Sequence, residues 1–507
     1  MYMTQCLQRT LQQNPDHLAT IFGDRRQTYR QFGDRVARLA GALQSLGMAA
    51  GDRVGMLALN SDRYLEYIMG VWWGGGVLNP VNIRWSVPEI VYSLDDCATD
   101  ILIVDEHFAA LAEGIRKTAR QVPRFVYAGE GEVPVGMLGF EQLIAQATPV
   151  EDAGRGGEDL ACIMYTGGTT GFPKGVMQSH LNLWSACMPR MVDMPPIRGG
   201  RLLHVAPLFH VAGMARALIQ FLAGETHVLV PSFEAEGLLQ IIEREQISET
   251  LLVPTMILAL LAHRDFDRYD LSSLKRLTYG ASPSAGEMVE QVLARLPDLE
   301  LSHSYGLTEA CPVVSSNLPC NHTLQARQSG LSRSVGRGGL GVNVKIVDPQ
   351  GHEVPRGTVG EIIVRGPNIM QGYWNKPEET AKALRDGWLF TGDGAYMDEQ
   401  GYLFIVDRLK DMIVSGGENI YSAEVENVLA RHPAVALSAV IGIPHEQWGE
   451  AVHAVVVLKP GTQVDEEQLR QYCREFIAGY KCPKSIEFRD ALPLSAAGKV
   501  LKRELRR

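Results

Sequence analysis

The chain reads Tyr165-Thr166-Gly167-Gly168-Thr169-Thr170-Gly171-Phe172-Pro173-Lys174-Gly175-Val176 directly after the apolar run at 160–164. Glycines let backbone N–H groups converge on an anion, threonine hydroxyls add donors, and a lysine adds positive charge, so the stretch suits a polyphosphate. It is not a Walker A loop, because Pro173 stands where that motif needs glycine and Gly175 replaces its metal-binding Ser or Thr. The alternative is a Gly/Thr turn that binds nothing.

On both sides of this stretch, short β-branched runs alternate with helix-like segments. The runs at 101–104, 202–205 and 227–230 predict strands, and the segments 236–245 and 286–296 predict helices. This alternation indicates α/β layers with largely parallel sheets. We therefore predict an α/β fold.

After about residue 330 the pattern changes to close-set strands separated by Gly/Pro turns, at 344–347, 360–364 and 402–406. A charged step at 407–411 suggests a domain boundary. We predict an N-terminal domain at 1–408 of two α/β layers, with a β-rich subdomain at about 330–408. A small mobile α+β domain is predicted at 409–507.

Composition excludes several classes of protein. The chain has 507 residues, a formal charge of −10 and a pI near 5.8, so it has no overall attraction for nucleic acid. Its eight cysteines form no C-x-x-C pair, which indicates reduced thiols rather than disulfides or zinc ligands. The N-terminus carries no secretory signal pattern, and the apolar window 202–224 is interrupted by His204, Arg216 and Gln220. We expect a soluble, cytoplasmic protein with no integral membrane segment.

Seven further blocks follow the glycine-rich stretch, and together they form a known pattern. They are Pro207-Leu208-Phe209-His210, Tyr279-Gly280-Ala281-Ser282-Pro283, Tyr305-Gly306-Leu307-Thr308-Glu309, Thr391-Gly392-Asp393, Asp407-Arg408-Leu409-Lys410-Asp411, Ser415-Gly416-Gly417-Glu418-Asn419-Ile420 and Ala497-Gly498-Lys499. With these blocks the sequence resembles the adenylate-forming superfamily: acyl-CoA synthetases, 4-coumarate:CoA ligases, luciferases and peptide-synthetase adenylation domains. The resemblance covers nearly the whole chain.

The resemblance implies a site for ATP and Mg²⁺. Tyr305 would stack on adenine, Thr308 would bind the α-phosphate, and Glu309 would ligate Mg²⁺. Asp393 would accept both ribose hydroxyls, with Arg408 beside it. The full set of expected ATP/AMP-binding residues is Thr166, Gly167, Gly168, Thr169, Thr170, Lys174, Gly280, Ala281, Ser304, Tyr305, Thr308, Asp393, Arg408 and Lys499.

The resemblance also implies a two-step reaction. Lys499 would stabilise the charge that develops as a carboxylate attacks the α-phosphate. Lys410 would be the hinge of the C-terminal domain, and Gly416 and Gly417 would border the path of coenzyme A. The alternatives are a solvated lysine near the C-terminus and a plain turn.

The acyl pocket would be lined by His210, Gly213, Met214, Ala281, Pro312 and Val313. These residues are mostly apolar or small, which suits a carboxylic acid with an uncharged acyl or aryl tail. His210 is expected to gate the pantetheine arm, although a lone histidine is often structural. Histidine here argues against an amino-acid substrate, because peptide-synthetase domains place an aspartate at this point. Arg216 keeps a dicarboxylate open as a minor alternative.

The sequence thus predicts an ATP-dependent carboxylic acid:CoA ligase, an acid–thiol ligase that forms AMP. The alternative is an adenylating enzyme that loads a carrier protein in trans. A luciferase-like oxygenase and a non-enzymatic binding protein are less favoured, and a homodimer stays open as an oligomeric state.

One feature departs from the pattern of this superfamily, and another matches the motif of a different kind of site. His303-Ser304 stands where many relatives have Gln-Gly, which puts the adenine and acyl contacts there in question. The segment 336–341 matches G-x-G-x-x-G but precedes a predicted strand rather than a helix, so we do not expect a dinucleotide site.

Overall fold

The α/β pattern of the sequence is realised in four β-sheets with flanking helices. The computed structural model describes residues 1–166, 173–280, 285–409, 411–415, 418–446, 448–494 and 500–506. Within them the helices are α1 Gln5–Gln13, α2 Tyr29–Ser45, α3 Asp62–Trp73, α4 Val87–Asp96, α5 Ala112–Thr118, α6 Phe140–Gln146, α7 His180–Asp193, α8 Val211–Ala223, α9 Ala235–Arg244, α10 Pro254–Leu261, α11 Ala285–Arg295, α12 Leu324–Gln328, α13 Pro377–Ala383, α14 Ser422–Leu429, α15 Glu466–Phe476 and α16 Lys502–Leu505.

Strands occur at the β-branched runs that predict them, and further strands occur elsewhere. They are β1 Leu18–Phe22, β2 Arg25–Thr28, β3 Arg53–Leu57, β4 Val77–Pro80, β5 Thr99–Val104, β6 Arg124–Tyr127, β7 Leu138–Gly139, β8 Leu160–Thr166, β9 Lys174–Ser179, β10 Arg201–His204, β11 Thr226–Leu229, β12 Glu249–Leu252, β13 Arg276–Gly280, β14 Glu300–Gly306, β15 Val313–Asn317, β16 Arg337–Gly338, β17 Asn343–Val347, β18 Gly360–Arg365, β19 Gly372–Tyr373, β20 Leu384–Arg385, β21 Trp388–Met397, β22 Leu403–Arg408, β23 Ile413–Ser415, β24 Glu418–Ile420, β25 Val435–His445, β26 Gly449–Leu458 and β27 Ser485–Phe488.

Two large sheets dominate the first three hundred residues and are mainly parallel. One has the order β16-β15-β14-β13-β12-β10-β11-β1-β2, and the other has the order β19-β9-β8-β4-β3-β5-β6-β7. Their central strands are parallel, as in β12–β13 and β13–β14. Because parallel strands end at the same edge, the carboxyl ends of β13 and β14 lie together.

A layer of helices joins these sheets. Every residue of α3 is buried, and α8 buries all but two of its residues. A helix that is buried all round packs against neighbours on several sides, so α3 and α8 belong to the central core. The α8 helix ends at Gly224, whose φ of +73° is the left-handed conformation that glycine adopts readily.

Two smaller sheets follow, as the change to close-set strands after about residue 330 predicts. An antiparallel sheet has the order β17-β18-β21-β20, with β22 paired to β21. Another has the order β24-β23-β26-β25, with β27 on β26, and it carries its own apolar core with α14 and α15. The predicted fold class is therefore confirmed, whereas the exact boundary at residue 408 remains a prediction. In the described parts of the chain, no helix is long and apolar enough to cross a membrane.

Candidate active site

The glycine-rich stretch lies between two antiparallel strands. Thr166 ends β8 and pairs with Lys174, which begins β9. Because a strand rather than a helix follows, the segment expected to bind phosphate differs from a Walker A loop, as the sequence predicts. Gly167, Gly168, Thr169 and Thr170 lie outside the described residues.

Lys174 is held by an acidic partner that sequence reasoning did not find. Its Nζ lies 2.9 Å from Oε2 of Glu379, on α13, and 4.7 Å from the centre of the Tyr373 ring. The second carboxylate oxygen of Glu379 accepts from Lys382 at 2.8 Å. The hydrogen bond from Lys382, which has the larger effect, and that from Lys174 lower the pKa of Glu379 to about 2. The carboxylate is therefore charged at neutral pH.

Glu309 lies in a single 3-10 turn directly after β14. The hydroxyl of Tyr373 donates to its Oε1 at 2.8 Å, and the backbone N–H of Met370 donates to its carbonyl at 2.8 Å. Burial and then the nearby Glu309 raise the pKa of Tyr373, so the phenol remains a donor. The neighbouring Thr308 is fixed through its carbonyl, which accepts from Gln178 at 2.8 Å. Tyr373 and Gln178 thus position the two residues expected to face the α-phosphate and Mg²⁺.

A single carboxylate is an adequate protein contribution for Mg²⁺ that arrives with a nucleotide. Magnesium in phosphate-transfer sites is usually bound by one or two carboxylates together with substrate phosphates and water. Among the described residues no group of three or more His, Cys, Asp or Glu side chains could hold a metal. Glu309 therefore fits an ion shared with ATP rather than a metal site built entirely from protein ligands.

Tyr305, Asp393 and Arg408 come together although they are up to a hundred residues apart. The Tyr305 hydroxyl donates to Asp393 at 2.7 Å, and Nε of Arg408 lies 3.5 Å from the same carboxylate. Burial, and next the Asp393 charge, raise the pKa of Tyr305 well above its usual value. Asp393 and Arg408 are cross-strand partners in β21 and β22. The ring expected to stack on adenine thus adjoins the groups expected to hold the ribose.

Close backbone approach explains two glycines at this edge. Gly280 and Ser304 are register partners at the ends of β13 and β14, and a Cβ on Gly280 would lie 2.9 Å from the Ser304 carbonyl oxygen. A Cβ on Gly306 would overlap the backbone of Pro312. The strand ends are therefore packed closely beside Tyr305. Ala281, the next predicted contact, lies outside the described residues.

Three of the predicted acyl-pocket residues, His210, Gly213 and Met214, lie at the start of α8. His210 precedes α8, with its ring 4.9 Å from that of Phe209. Gly213 lies so close to the preceding turn that a Cβ would meet the Pro207 carbonyl oxygen at 2.2 Å. Met214 and Val313 are buried, and Pro312, which precedes Val313 in the sequence, is partly buried.

Asn60 positions the turn that carries His210, and sequence reasoning missed it. Its Oδ1 accepts from the Leu208 N–H at 2.8 Å, and its Nδ2 donates to the Ala206 carbonyl at 3.1 Å. These contacts span almost 150 residues of chain. No local signal in the sequence marks Asn60, because its neighbours resemble an ordinary polar turn after β3.

The remaining predicted residues, Lys410, Gly416, Gly417 and Lys499, lie outside the described residues. Their neighbours are described. Leu409 donates to the Gly392 carbonyl at 2.9 Å, Ser415 pairs with Glu418, and Leu494 forms a bridge with Val500. The roles of these four residues stay predictions from the sequence.

Comparison with known proteins agrees with this architecture. The model of the AMP-binding enzyme family matches residues 7–374, and that of the AMP-binding enzyme C-terminal domain matches 424–499. The chain is 39% identical over 507 residues to a feruloyl-CoA synthase from Amycolatopsis, covering 98% of this chain and 97% of that one. It is 36% identical over 512 residues to an indoleacetate–CoA ligase from Aromatoleum aromaticum, covering 100% and 98%.

A solved structure extends the likeness to three dimensions. The anthranilate CoA ligase AuaEII, in complex with anthranoyl-AMP, matches with a TM-score of 0.92 and 30% identity, over 100% of this chain and 96% of that one. The resemblance inferred from the sequence motifs is thus confirmed. The chain belongs to the AMP-binding enzyme family of adenylate-forming ligases.

Proposed function

We propose that the protein is an ATP-dependent carboxylic acid:CoA ligase that works through an acyl-adenylate. The observation that carries this proposal is the convergence of Tyr305, Asp393 and Arg408 with the Thr308–Glu309 turn. It supplies a nucleoside site beside a phosphate and metal site at the carboxyl edge of a parallel sheet, where ligands of α/β proteins bind. The relatives named as CoA ligases support the same activity.

In the first step, a carboxylate oxygen of the acid attacks the α-phosphorus of ATP. The bond from that phosphorus to the bridging oxygen breaks, and pyrophosphate leaves. Thr308 would bind the α-phosphate, Lys174 with residues 166–170 would hold the departing phosphates, and Lys499 would face the developing charge. Glu309 would hold Mg²⁺, which neutralises phosphate charge when bound.

In the second step, the thiol of coenzyme A attacks the acyl carbon of the adenylate. The bond between that carbon and the AMP oxygen breaks, the thiol proton is lost, and a thioester and AMP result. Gly416 and Gly417 would border the entry of the pantetheine arm, and His210 would gate it. A domain at 409–507 would turn about Lys410 between the two steps.

The acid that fits this site has an apolar acyl or aryl tail without an α-amino group or second carboxylate. Met214 and Val313 offer buried apolar surface. Arg216, the residue that kept a dicarboxylate open, is paired with Glu249 at 2.7 Å. A second substrate carboxylate would therefore meet a carboxylate already in place. We propose that the reaction takes place in the cytoplasm.

The proposal is tested by measuring pyrophosphate release over a library of carboxylic acids, followed by mass detection of acyl-CoA. We expect acid-dependent release and a CoA thioester with octanoate, cinnamate or a related acid, at higher kcat/KM than with malonate or any amino acid. A panel of acyl carrier proteins serves as the alternative acceptor. Acylation of a carrier protein without acyl-CoA formation would replace this proposal by the carrier-loading alternative.

A further inference from the structure

Two buried arginines, Arg190 and Arg216, lie beneath the predicted acyl pocket. We call this pair, with the polar side chains that contact it, the polar floor. Arg190 on α7 is 4% exposed, and Arg216 on α8 is 7% exposed. Thr278 on β13 and Ser302 on β14 face Arg190, each 3.4 Å from one of its terminal nitrogens. Buried arginine is rare unless paired, so this floor needs a reason.

The floor carries more positive than negative charge. Glu249 on β12 lies 2.7 Å from Arg216 and 3.9 Å from Arg190, and it also lies 3.2 Å from Arg276 at the rim. Arg276 is shared with Glu300 at 2.6 Å. Three arginines therefore share two carboxylates. Burial and then the neighbouring Arg216 lower the pKa of Arg190 to about 9.

Both buried guanidinium groups also keep a donor without an acceptor. Within the described parts of the chain, neither Nε of Arg190 nor Nε of Arg216 has a hydrogen-bond partner. A buried donor that loses its water without gaining an acceptor is destabilising, and such groups are uncommon in folded proteins. An acceptor atom brought by a ligand would supply a missing hydrogen bond.

Arg216 connects this polar floor to the predicted acyl pocket. Arg216 lies three residues after Gly213, on the same face of α8. Both residues line one small cavity of about 10 Å³, together with Ala206 and Leu251. Thr278 and Ser302 lie two residues before Gly280 and Ser304, so they share the face of the sheet that those strand ends present. The cavity has room for roughly one oxygen-sized group.

We propose that Arg216, which lines this cavity and is linked to Arg190 through Glu249, forms a distal subsite that accepts one neutral oxygen at the far end of the acid, such as a methoxy, phenolic or keto oxygen. This inference rests on the proposed function and specifies its substrate class. A charged group is disfavoured, because the Glu249 carboxylate already accepts a hydrogen bond from a terminal nitrogen of Arg216 at 2.7 Å. An acid with a hydrocarbon end would leave the Nε donor of Arg216 unsatisfied.

A matched pair of substrates isolates this interaction. We would compare 4-methoxycinnamate with 4-ethylcinnamate, and 7-oxooctanoate with octanoate, since each pair differs mainly by an oxygen acceptor. We expect kcat/KM for at least one oxygen-bearing acid to exceed that of its hydrocarbon partner by about tenfold or more. Acyl-CoA formation from both members with a ratio near one would overturn the subsite while leaving the ligase function intact. No acyl-CoA from any acid would overturn the ligase function itself.

Two variants assign the preference to the arginines. Arg190→Met keeps the side-chain volume and leaves Thr278 and Ser302 bonded to each other at 3.0 Å. Arg216→Gln keeps a donor but removes the charge. In both variants the ratio should fall towards one, and any acyl-CoA formed from the hydrocarbon acid shows that the variant has folded. An unchanged ratio in both variants, or a preference of the parent enzyme for 4-carboxycinnamate, would contradict the proposal.

Discussion

At the scale of single residues, two residues of the candidate site are held by side chains outside its motifs. Lys174 is paired with Glu379, and Glu309 accepts from Tyr373. The motifs alone single out Lys174 and Glu309 as candidates for binding phosphate and Mg²⁺. Their partners could not be predicted, because the contacts join residues 205 and 64 positions apart. Nothing local marks Glu379 as different from the neighbouring Glu378.

We predict that Glu379→Ala lowers the KM for ATP. The Glu379 carboxylate competes with the polyphosphate for the ammonium of Lys174, and both side chains are partly exposed, so the effect should be modest, about two- to fivefold. Glu378→Ala is the matched control on the same helix and should leave KM unchanged. Steady-state kinetics at saturating acid and CoA provide the measurement. A higher KM in Glu379→Ala would mean that Glu379 positions Lys174 for binding.

A variant of Lys499 should separate the two half-reactions. Lys499→Ala should slow acyl-adenylate formation by about a hundredfold or more, because the ammonium is needed when charge builds up at the α-phosphate. Thioester formation from supplied acyl-adenylate should be largely spared. The nearby Lys502 pairs with Glu426 at 2.8 Å and is a control for loss of a lysine outside the site. Equal losses in both half-reactions would contradict the assigned role of Lys499.

At the scale of elements, sequence periodicity predicted where individual helices and strands lie, but not which strands pair with one another in the sheets. The predicted helix at 236–245 coincides within one residue with α9, and the predicted strand at 101–104 falls within β5. The sheet order was not predictable, because β1 pairs with β11 and β19 pairs with β9 across about 200 residues. Such pairings depend on packing of whole layers, for which local patterns carry no signal.

A buried carboxylate, that of Asp407, links the end of β22 to the start of α14. Asp407 accepts from both the N–H and the hydroxyl of Ser422 at 2.5 Å, which places a carboxylate at the N-terminus of α14. A negative charge at this end of a helix is stabilising. The link anchors both ends of the segment that contains Lys410, so rotation there would be confined to few residues.

We predict that Lys410→Pro preserves adenylation and abolishes transfer to CoA. Proline fixes φ near −65° and removes an amide donor, so it should hold one orientation of the C-terminal domain. Single-turnover pyrophosphate release should survive while acyl-CoA is absent. Lys410→Ala, which keeps the backbone free, is the control and should make acyl-CoA. Acyl-CoA formation at the parental rate by the proline variant would place the hinge elsewhere or exclude rotation.

At the scale of the whole molecule, buried neutral histidines make stability depend on pH. Five are less than a tenth exposed: His180, His204, His227, His303 and His322. Burial lowers the pKa of His204 to about 3 and that of His180, His303 and His322 to about 4, against 6.5 in the unfolded chain. Below about pH 6.5 the unfolded state therefore binds protons that the folded state does not, and stability falls.

We predict that the free energy of unfolding decreases between pH 6.5 and pH 4. Each such histidine contributes at most about 1.4 kcal/mol per pH unit within this range. Urea unfolding at pH 7 and pH 5 provides the measurement. His227→Phe, which removes one buried imidazole, should reduce the slope, whereas His352→Gln at an 80% exposed position should not. Stability that stays constant down to pH 5 would contradict the expectation.

The central claim is that the acid passes through an acyl-adenylate before it reaches CoA. If so, one carboxylate oxygen of the acid becomes the bridging oxygen to the α-phosphorus and leaves with AMP when the thiol attacks. The most direct measurement is a reaction with acid labelled with ¹⁸O in its carboxylate, followed by mass spectrometry of the products. We predict that AMP carries one labelled oxygen and that pyrophosphate carries none. Label in inorganic phosphate, or unlabelled AMP formed together with acyl-CoA, would contradict the mechanism.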